Sequence, residues 1–173
     1  MMLVTAGSGV AIGLPGNFGI APSSAASVLP AATGLQAVVS GSCSLATNRQ
    51  VRAFIQSGGP ALGVDPLQIM ARQAAGGDMV AEVLAWAAPL LAQGPVLIYS
   101  SADALSVKSV QGALGAEAAG ALVELTLDAI ARGLVRLGVR QRVVAGGETS
   151  GACVQVLGIT QMKIGPQIDP GVP

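Results

Sequence analysis

A short apolar strand that runs straight into a loop of glycine and small polar residues occurs twice in this chain, and it restricts the fold more than any other feature. Residues 143–151 read V-V-A-G-G-E-T-S-G, with Thr149 and Ser150 standing where a following helix would need its cap. Residues 37–44 read A-V-V-S-G-S-C-S, and Thr47 is the predicted cap of a helix over residues 48–56. Strands that alternate with helices through short turns predict an α/β fold.

We therefore predict a three-layer, Rossmann-like sheet that is mostly parallel, with helices on both faces. Further strands are predicted near residues 67–70, 95–100, 142–145 and 159–164. Further helices are predicted after a cap at Asp78, over residues 117–137 and from the 143–151 motif to about residue 157. On the long helix, four charged residues recur every four positions and indicate a solvated face: Glu124, Asp128, Arg132 and Arg136.

The composition removes several classes of function. The chain contains no histidine, which excludes a Ser-His-Asp triad, a Cys-His pair and every histidine-containing zinc site. The charges of nine basic and nine acidic residues cancel, and aromatic residues are few, so a nucleic-acid partner is not expected. The longest apolar stretch, residues 79–92, is shorter than the roughly 20 residues of a membrane span. We expect a soluble, cytoplasmic protein with Cys43 and Cys153 reduced, and a homo-oligomer stays open.

The residues alone leave the chemistry of the loops open. Gly146 and Gly147 before a helix N-terminus can bind a phosphate, but they can equally make an ordinary tight turn. The hydroxyls of Ser40, Ser42 and Ser44 can donate to phosphate or ribose, or can satisfy their own backbone. A third glycine-rich stretch, residues 7–13, has a weak dinucleotide-like spacing that would serve a nicotinamide-dependent enzyme.

Four motifs taken in order resemble the C-terminal nucleotide-binding domain of the four-carbon acid sugar kinases, the 3-oxo-tetronate kinase group. They are S-G-S-C-S at residues 40–44, V-L-I-Y-S-S-A-D at 96–103, V-V-A-G-G-E-T-S-G at 143–151 and I-G-P-Q-I-D-P-G-V-P at 164–173. The likeness covers nearly the whole chain. It implies one nucleotide-binding domain over residues 1–173, with an entry segment and loop at 1–35 and an α/β core at 36–173, as part of a two-domain kinase.

The resemblance implies ATP-dependent phosphorylation of a small sugar acid such as a 3-oxo-tetronate, with ATP and Mg²⁺ as cofactors. The implied ATP-binding residues lie in the two loops: Ser40, Gly41, Ser42, Ser44, Gly146, Gly147, Glu148, Thr149, Ser150 and Gly151. Ala152 and Cys153 stand where a Walker loop needs lysine and a hydroxyl, so phosphate binding would rest on backbone amides. Glu148 and Asp169 are the candidates for contact with magnesium.

In such a kinase the sugar acid is held by an N-terminal domain, and no residue of this chain can be assigned as the catalytic base. We therefore expect the isolated chain to show little or no kinase activity. The alternatives are a nicotinamide-dependent Rossmann-type enzyme and a nucleotide-binding module without catalytic activity.

Overall fold

The computed structural model describes residues 8–21, 23, 28, 33–100, 116–163 and 165, and the chain divides into two compact units. One unit comprises Met1–Ala31 and Gln161–Pro173. Its described residues include a short 3₁₀ helix, Ser8–Ile12, and a four-residue helix α1, Leu14–Asn17. The other unit, Ala32–Thr160, contains all the strands that the structure describes.

The second unit is built on one parallel sheet of four described strands. These are β1 (Leu35–Ser40), β2 (Ala61–Val64), β3 (Val96–Ser100) and β4 (Val139–Ala145). Their order across the sheet is β2-β3-β1-β4, and all three pairings are parallel. The helices are α2 (Leu45–Gln56), α3 (Pro66–Ala74), α4 (Met79–Ala87), α5 (Ala116–Arg136) and α6 (Gly147–Val156). The predicted α/β fold is confirmed.

Strand β3 is buried on both faces of the sheet. Successive residues of a strand point to opposite faces, so each face can be followed separately. Val96 and Ile98 of β3 belong to the main core, which also contains residues of α3, α4 and α5. Leu97 points to the opposite face and is buried too. Helix α2 contacts β3, and it covers that second face with its buried Val51. Helices therefore lie on both faces of the sheet.

Helix α5 provides the largest part of the main core. Leu127, Ile130 and Leu134 are spaced three and four residues apart, as one face of a helix requires, and each is fully buried. Gly133 lies on the same helix, and a Cβ atom there would overlap the side chain of Leu84 on α4. The absence of a side chain at Gly133 thus lets α4 and α5 pack closely. The long helix predicted over residues 117–137 is confirmed.

Two predicted strands are wrong in the residues that the structure describes. Residues 67–70 lie in helix α3, because Asp65 caps it, its carboxylate accepting from the Leu67 amide at 2.7 Å, and Pro66 occupies the first turn. Residues 159–163 form no strand after Gly158, which has a left-handed φ of +65°. Ile159 bonds back to Val154 rather than to a neighbouring strand.

The topology leaves a crevice at the carboxyl ends of β1 and β4. These strands are neighbours, and Ser40 pairs with Ala145. The chain leaves β1 for α2 on one face, and it leaves β4 for α6, which packs on α5 at the other face. In parallel sheets such a divergence is the usual place for a ligand. Among the described helices, none is long and apolar enough to cross a membrane.

Candidate functional site

Two loops meet at this crevice: the β1 loop (residues 41–44) and the β4 loop (residues 146–147). The Gly41 amide donates to the Ala145 carbonyl at 3.0 Å, which extends the pairing of the strands by one residue. A Cβ atom at Gly146 would lie 3.3 Å from the backbone nitrogen of Ser42. The sequence motifs at 40–44 and 146–151, far apart in the chain, are thus brought together.

Helix α6 begins at the β4 loop without a side-chain cap. Gly146 is the N-cap residue, and its φ of +119° and ψ of 132° belong to a conformation that residues other than glycine rarely adopt. The first bond back into the helix is donated by the Ser150 amide to the Gly146 carbonyl, at 2.9 Å. The amides of Gly147, Glu148 and Thr149 precede it, so these are the donors that a helix N-terminus offers to an anion.

The predicted caps Thr149 and Ser150 are not caps, because the helix starts earlier than the hydroxyls indicate. Both residues lie in the first turns of α6. The Ser150 hydroxyl donates to the Val144 carbonyl at 3.4 Å, back toward the strand. Thr149 is only 3% exposed. Gly151 lies beyond the first turn, with nothing within 4 Å of the position of a Cβ atom.

The N-terminus of α2 differs, because Ser44 caps it. The Ser44 hydroxyl oxygen accepts from the Thr47 amide at 3.1 Å, and the hydroxyl donates to the Thr47 side-chain oxygen at 2.9 Å. The Ser42 hydroxyl oxygen accepts from the Ser44 amide at 3.3 Å. The prediction that Thr47 caps this helix is therefore wrong, because Ser44 has the extended backbone of an N-cap, three residues before it.

Ser40, the first of the predicted serines, ends β1 and is 3% exposed. It stands beside Ala145 in the sheet. Gly41 and Ser42 thus lie next to the first residues of α6, whereas Ser40, which precedes them, is buried in the sheet.

Two carboxyl groups adjoin the α6 N-terminus. Glu148 lies in its first turn and is exposed, and the carboxyl of Glu124 on α5 contacts it. The pKa of Glu124 is raised above 4.5, first by burial, then by the charge of Glu148 and a hydrogen bond to it, and last by the charge of Asp128. Burial also raises the pKa of Asp128. The predicted solvated face holds for Arg132 and Arg136, which are exposed, whereas Glu124 and Asp128 are half-buried because α6 packs against α5.

Below the loops lies a polar cluster that sequence reasoning missed: Asp128, Arg142 and Cys153. Within the described part of the chain, one oxygen of Asp128 (Oδ1) and one nitrogen of Arg142 (Nη1) are buried without a hydrogen-bond partner. Burial raises the pKa of the Cys153 thiol, the charge of Asp128 raises it further, and the charge of Arg142 opposes both. The three residues come from α5, β4 and α6, so only tertiary contact shows the cluster.

The described residues contain no group of three or more acidic, cysteine or histidine side chains that could hold a metal ion. A magnesium ion that is carried chiefly by nucleotide phosphates needs only one or two carboxylates from the protein. Glu148 and Glu124 could supply them. Asp169, the other predicted candidate, lies outside the described residues.

In its described part, from Ser8 to Gly13, the third glycine-rich stretch lacks the long helix of a dinucleotide site. From residue 8 onward it forms the 3₁₀ helix Ser8–Ile12 and then the four-residue helix α1, which carries Pro15 and Gly16. A dinucleotide fingerprint needs a strand before its glycines and a long helix after them. Residues 1–7, where such a strand would lie, are outside the described residues.

Comparison with known proteins assigns the core to a family. Residues 37–173 match the family model described as nucleotide-binding C-terminal domain. This range includes both loops and all of α6.

Curated relatives and a solved structure agree with that match. The chain is 53% identical to a 3-oxo-tetronate kinase of Burkholderia multivorans over 99% of its own length, and 51% identical to one of Pseudomonas fluorescens over 99%. It spans only 40% and 39% of the length of these relatives. The crystal structure of a Haemophilus influenzae protein superimposes with a TM-score of 0.73 at 30% identity, covering 83% of this chain and 34% of that one.

Proposed function

The chain belongs to the family of nucleotide-binding C-terminal domains, and we propose that it is the ATP-binding part of a kinase that phosphorylates a four-carbon sugar acid. The relatives named 3-oxo-tetronate kinase support this substrate class. Since the chain spans about 40% of their length, the sugar acid would be held by a further, N-terminal domain. We expect a cytoplasmic location, and a homo-oligomer is compatible with the proposal.

The observation that carries the proposal is the uncapped N-terminus of α6 at the crevice. α2, α3 and α4 are capped by Ser44, Asp65 and Asp78, whereas α6 has no side-chain cap. Its free amides and the positive end of its dipole would bind the ATP phosphates. Such fixed backbone donors suit phosphoryl transfer, in which catalysis is mainly positioning and charge stabilisation.

The other predicted residues would contribute in different ways. Ser40, Gly41 and Ser42 would form the wall that faces the phosphates, and Ser44 would hold that wall in place by capping α2. Ser150 and Gly151 would border the site, because the Ser150 amide and hydroxyl already bond within the protein. Magnesium would neutralise phosphate charge, and Glu148 would meet it directly or through water.

Isothermal titration of the purified chain with ATP, with and without magnesium, tests nucleotide binding. We expect saturable binding of ATP and ADP at micromolar to millimolar concentration, and much weaker binding of NAD. A chain that binds no ATP at several millimolar would contradict the proposal. Stronger binding of NAD than of ATP would favour a nicotinamide-dependent enzyme.

A second assay tests whether phosphoryl transfer requires the sugar-acid domain. The isolated chain with ATP, magnesium and a 3-oxo-tetronate should release no ADP above the blank, because the sugar-acid domain is needed to bring the acceptor hydroxyl to the phosphate. Supplying the N-terminal part of a related kinase should restore turnover. Nucleotide binding without turnover in any such mixture would identify a module without catalytic activity.

A further inference from the structure

We propose that Thr149 is a positioning residue whose side chain separates and orients the two loops by packing against the backbone of Gly41, while only its amide faces the nucleotide. The inference rests on the proposed nucleotide site and assigns a new role within it. Thr149 and Gly41 would otherwise both be taken as ordinary phosphate contacts.

The packing around Gly41 carries the argument. A Cβ atom at Gly41 would overlap the side-chain oxygen of Thr149, and it would lie 3.3 Å from the Thr149 Cβ. It would also lie 3.4 Å from a methyl group (Cδ1) of Leu127, which is fully buried on α5. The β1 loop therefore rests directly on two side chains from the helices beneath it.

Gly41 is required for space and not for its backbone conformation. The described glycines with a positive φ include Gly146 but not Gly41. An alanine at residue 41 would thus be strained only by its contacts, chiefly with Thr149. The two loop glycines have different functions: one allows an unusual φ, and the other allows close approach.

The Thr149 side chain also lies against the second loop. A Cβ atom at Gly146 would be 3.1 Å from the Thr149 side-chain oxygen. With glycine on both sides and 3% of its surface exposed, Thr149 fills the space between the loops. Its size fixes the distance between the Ser42 backbone and the α6 amides, and hence the width of the phosphate site.

A double-mutant cycle in ATP affinity tests this role in the full chain. Gly41→Ala should weaken ATP binding by about tenfold or more, because the added methyl pushes the loops apart. Thr149→Ala alone should weaken it about threefold, and Gly41→Ala/Thr149→Ala should bind as Thr149→Ala does, since the new methyl occupies the vacated space. Thr149→Ser keeps the overlapping oxygen and should not rescue Gly41→Ala.

The control is Gly120→Ala on the exposed part of α5, where nothing lies within 4 Å of the added Cβ atom, and it should leave ATP affinity unchanged. Independent losses that multiply in the double variant would overturn the proposal, as would rescue by Thr149→Ser. If Gly41→Ala does not fold, the double variant should fold and bind ATP, and its failure to fold would also overturn it.

The thermal midpoints of the same variants separate this inference from the proposed function. If the unmodified chain binds no ATP, the proposed function fails, while the double variant should still unfold at a higher temperature than Gly41→Ala. Equal or lower midpoints for the double variant would contradict the packing role itself.

Discussion

The two strand-to-helix junctions at the crevice, β1 to α2 and β4 to α6, have the same topology but treat their backbone donors in opposite ways. At the first, Ser44 caps the helix and Ser42 bonds to the Ser44 amide. At the second, the N-cap residue Gly146 has no side chain to accept from the helix amides, and three amides come before the first bond into the helix. Stabilisation of a helix and availability to a ligand compete for the same N–H groups. The first junction is therefore mainly structural, and the second is the one suited to an anion.

The largest effect is expected from Gly146→Ala. Alanine is strained at a φ of +119°, and its methyl group would lie 3.1 Å from the Thr149 side-chain oxygen. We expect ATP affinity, measured by titration calorimetry, to fall by about 100-fold, which corresponds to roughly 3 kcal/mol.

The matched control is Gly58→Ala, at the end of α2, where φ is +83° and the space around the residue is open. It should lower the free energy of unfolding by about 1 kcal/mol and leave ATP affinity unchanged. Unchanged ATP binding in Gly146→Ala, or an equal loss in both variants, would show that the β4 loop is not the phosphate site.

Removing the Ser44 cap at the β1-to-α2 junction should lower mainly the stability of the protein. Ser44→Ala should lower the free energy of unfolding by about 1 kcal/mol, and the thermal midpoint by roughly 2–4 °C. Asp78→Ala removes an equivalent cap at α4, where the carboxylate accepts from the Val80 and Ala81 amides at 2.9 and 3.2 Å. It should lower the free energy of unfolding by a similar amount. A normal midpoint for Ser44→Ala alone would mean that its cap does not stabilise α2.

Glu148→Gln changes the charge at the open junction. A carboxylate in the first turn stabilises the helix dipole by about 0.3–1 kcal/mol, but it repels phosphate bound to the same turn. We expect magnesium-free ATP to bind about threefold more tightly, measured with a chelator present. Glu82→Gln on α4, where Glu82 pairs with Arg72 at 3.3 Å, is the control. Equal ATP affinities for the unmodified chain, Glu148→Gln and Glu82→Gln would mean that the phosphates do not bind at the α6 N-terminus.

The smallest effect concerns Glu124, whose pKa is raised by burial first, then by Glu148, and then by Asp128. A carboxyl with a raised folded pKa contributes stability that is fully present below its unfolded pKa of 4.5 and is lost as pH rises through the folded value. Glu124→Gln should therefore raise the thermal midpoint by about 1 °C near pH 8 and leave it unchanged near pH 4.

Making Glu124→Gln in a protein that already carries Glu148→Gln tests whether the charge of Glu148 contributes to this gain in thermal midpoint. The gain near pH 8 should be smaller there, because one of the charges that raise the pKa of Glu124 has gone. An undiminished gain would mean that the two carboxyls do not interact across the open junction.

The sequence predicted the elements whose signals are local and strong. The alternation of strands and helices indicated a parallel sheet, the three- and four-residue spacing of apolar residues indicated α5, and Asp78 was identified as a cap. The caps of α2 and α6 were misassigned because several hydroxyl residues follow each strand, and only backbone geometry selects among them. At α6 a glycine, with no side chain to signal its role, is the N-cap.

Features that depend on tertiary contact could not be predicted. The charged residues of α5 recur every four positions, as on a solvated face, and the sequence does not show that α6 half-buries Glu124 and Asp128. Likewise, the need for glycine at residue 41 arises from Thr149, which lies on another element. The motifs did identify both loops, but their junction depends on the pairing of β1 with β4.

That pairing also determines when the site comes into existence. Gln36 of β1 and Gln141 of β4, which bond across the two strands, are 105 positions apart. Contacts so distant in the chain form slowly compared with local helices, and during synthesis β4 and α6 leave the ribosome long after β1. A nucleotide that needs both loops can bind only the finished core, so ATP should slow the unfolding of this chain while leaving its rate of folding unchanged.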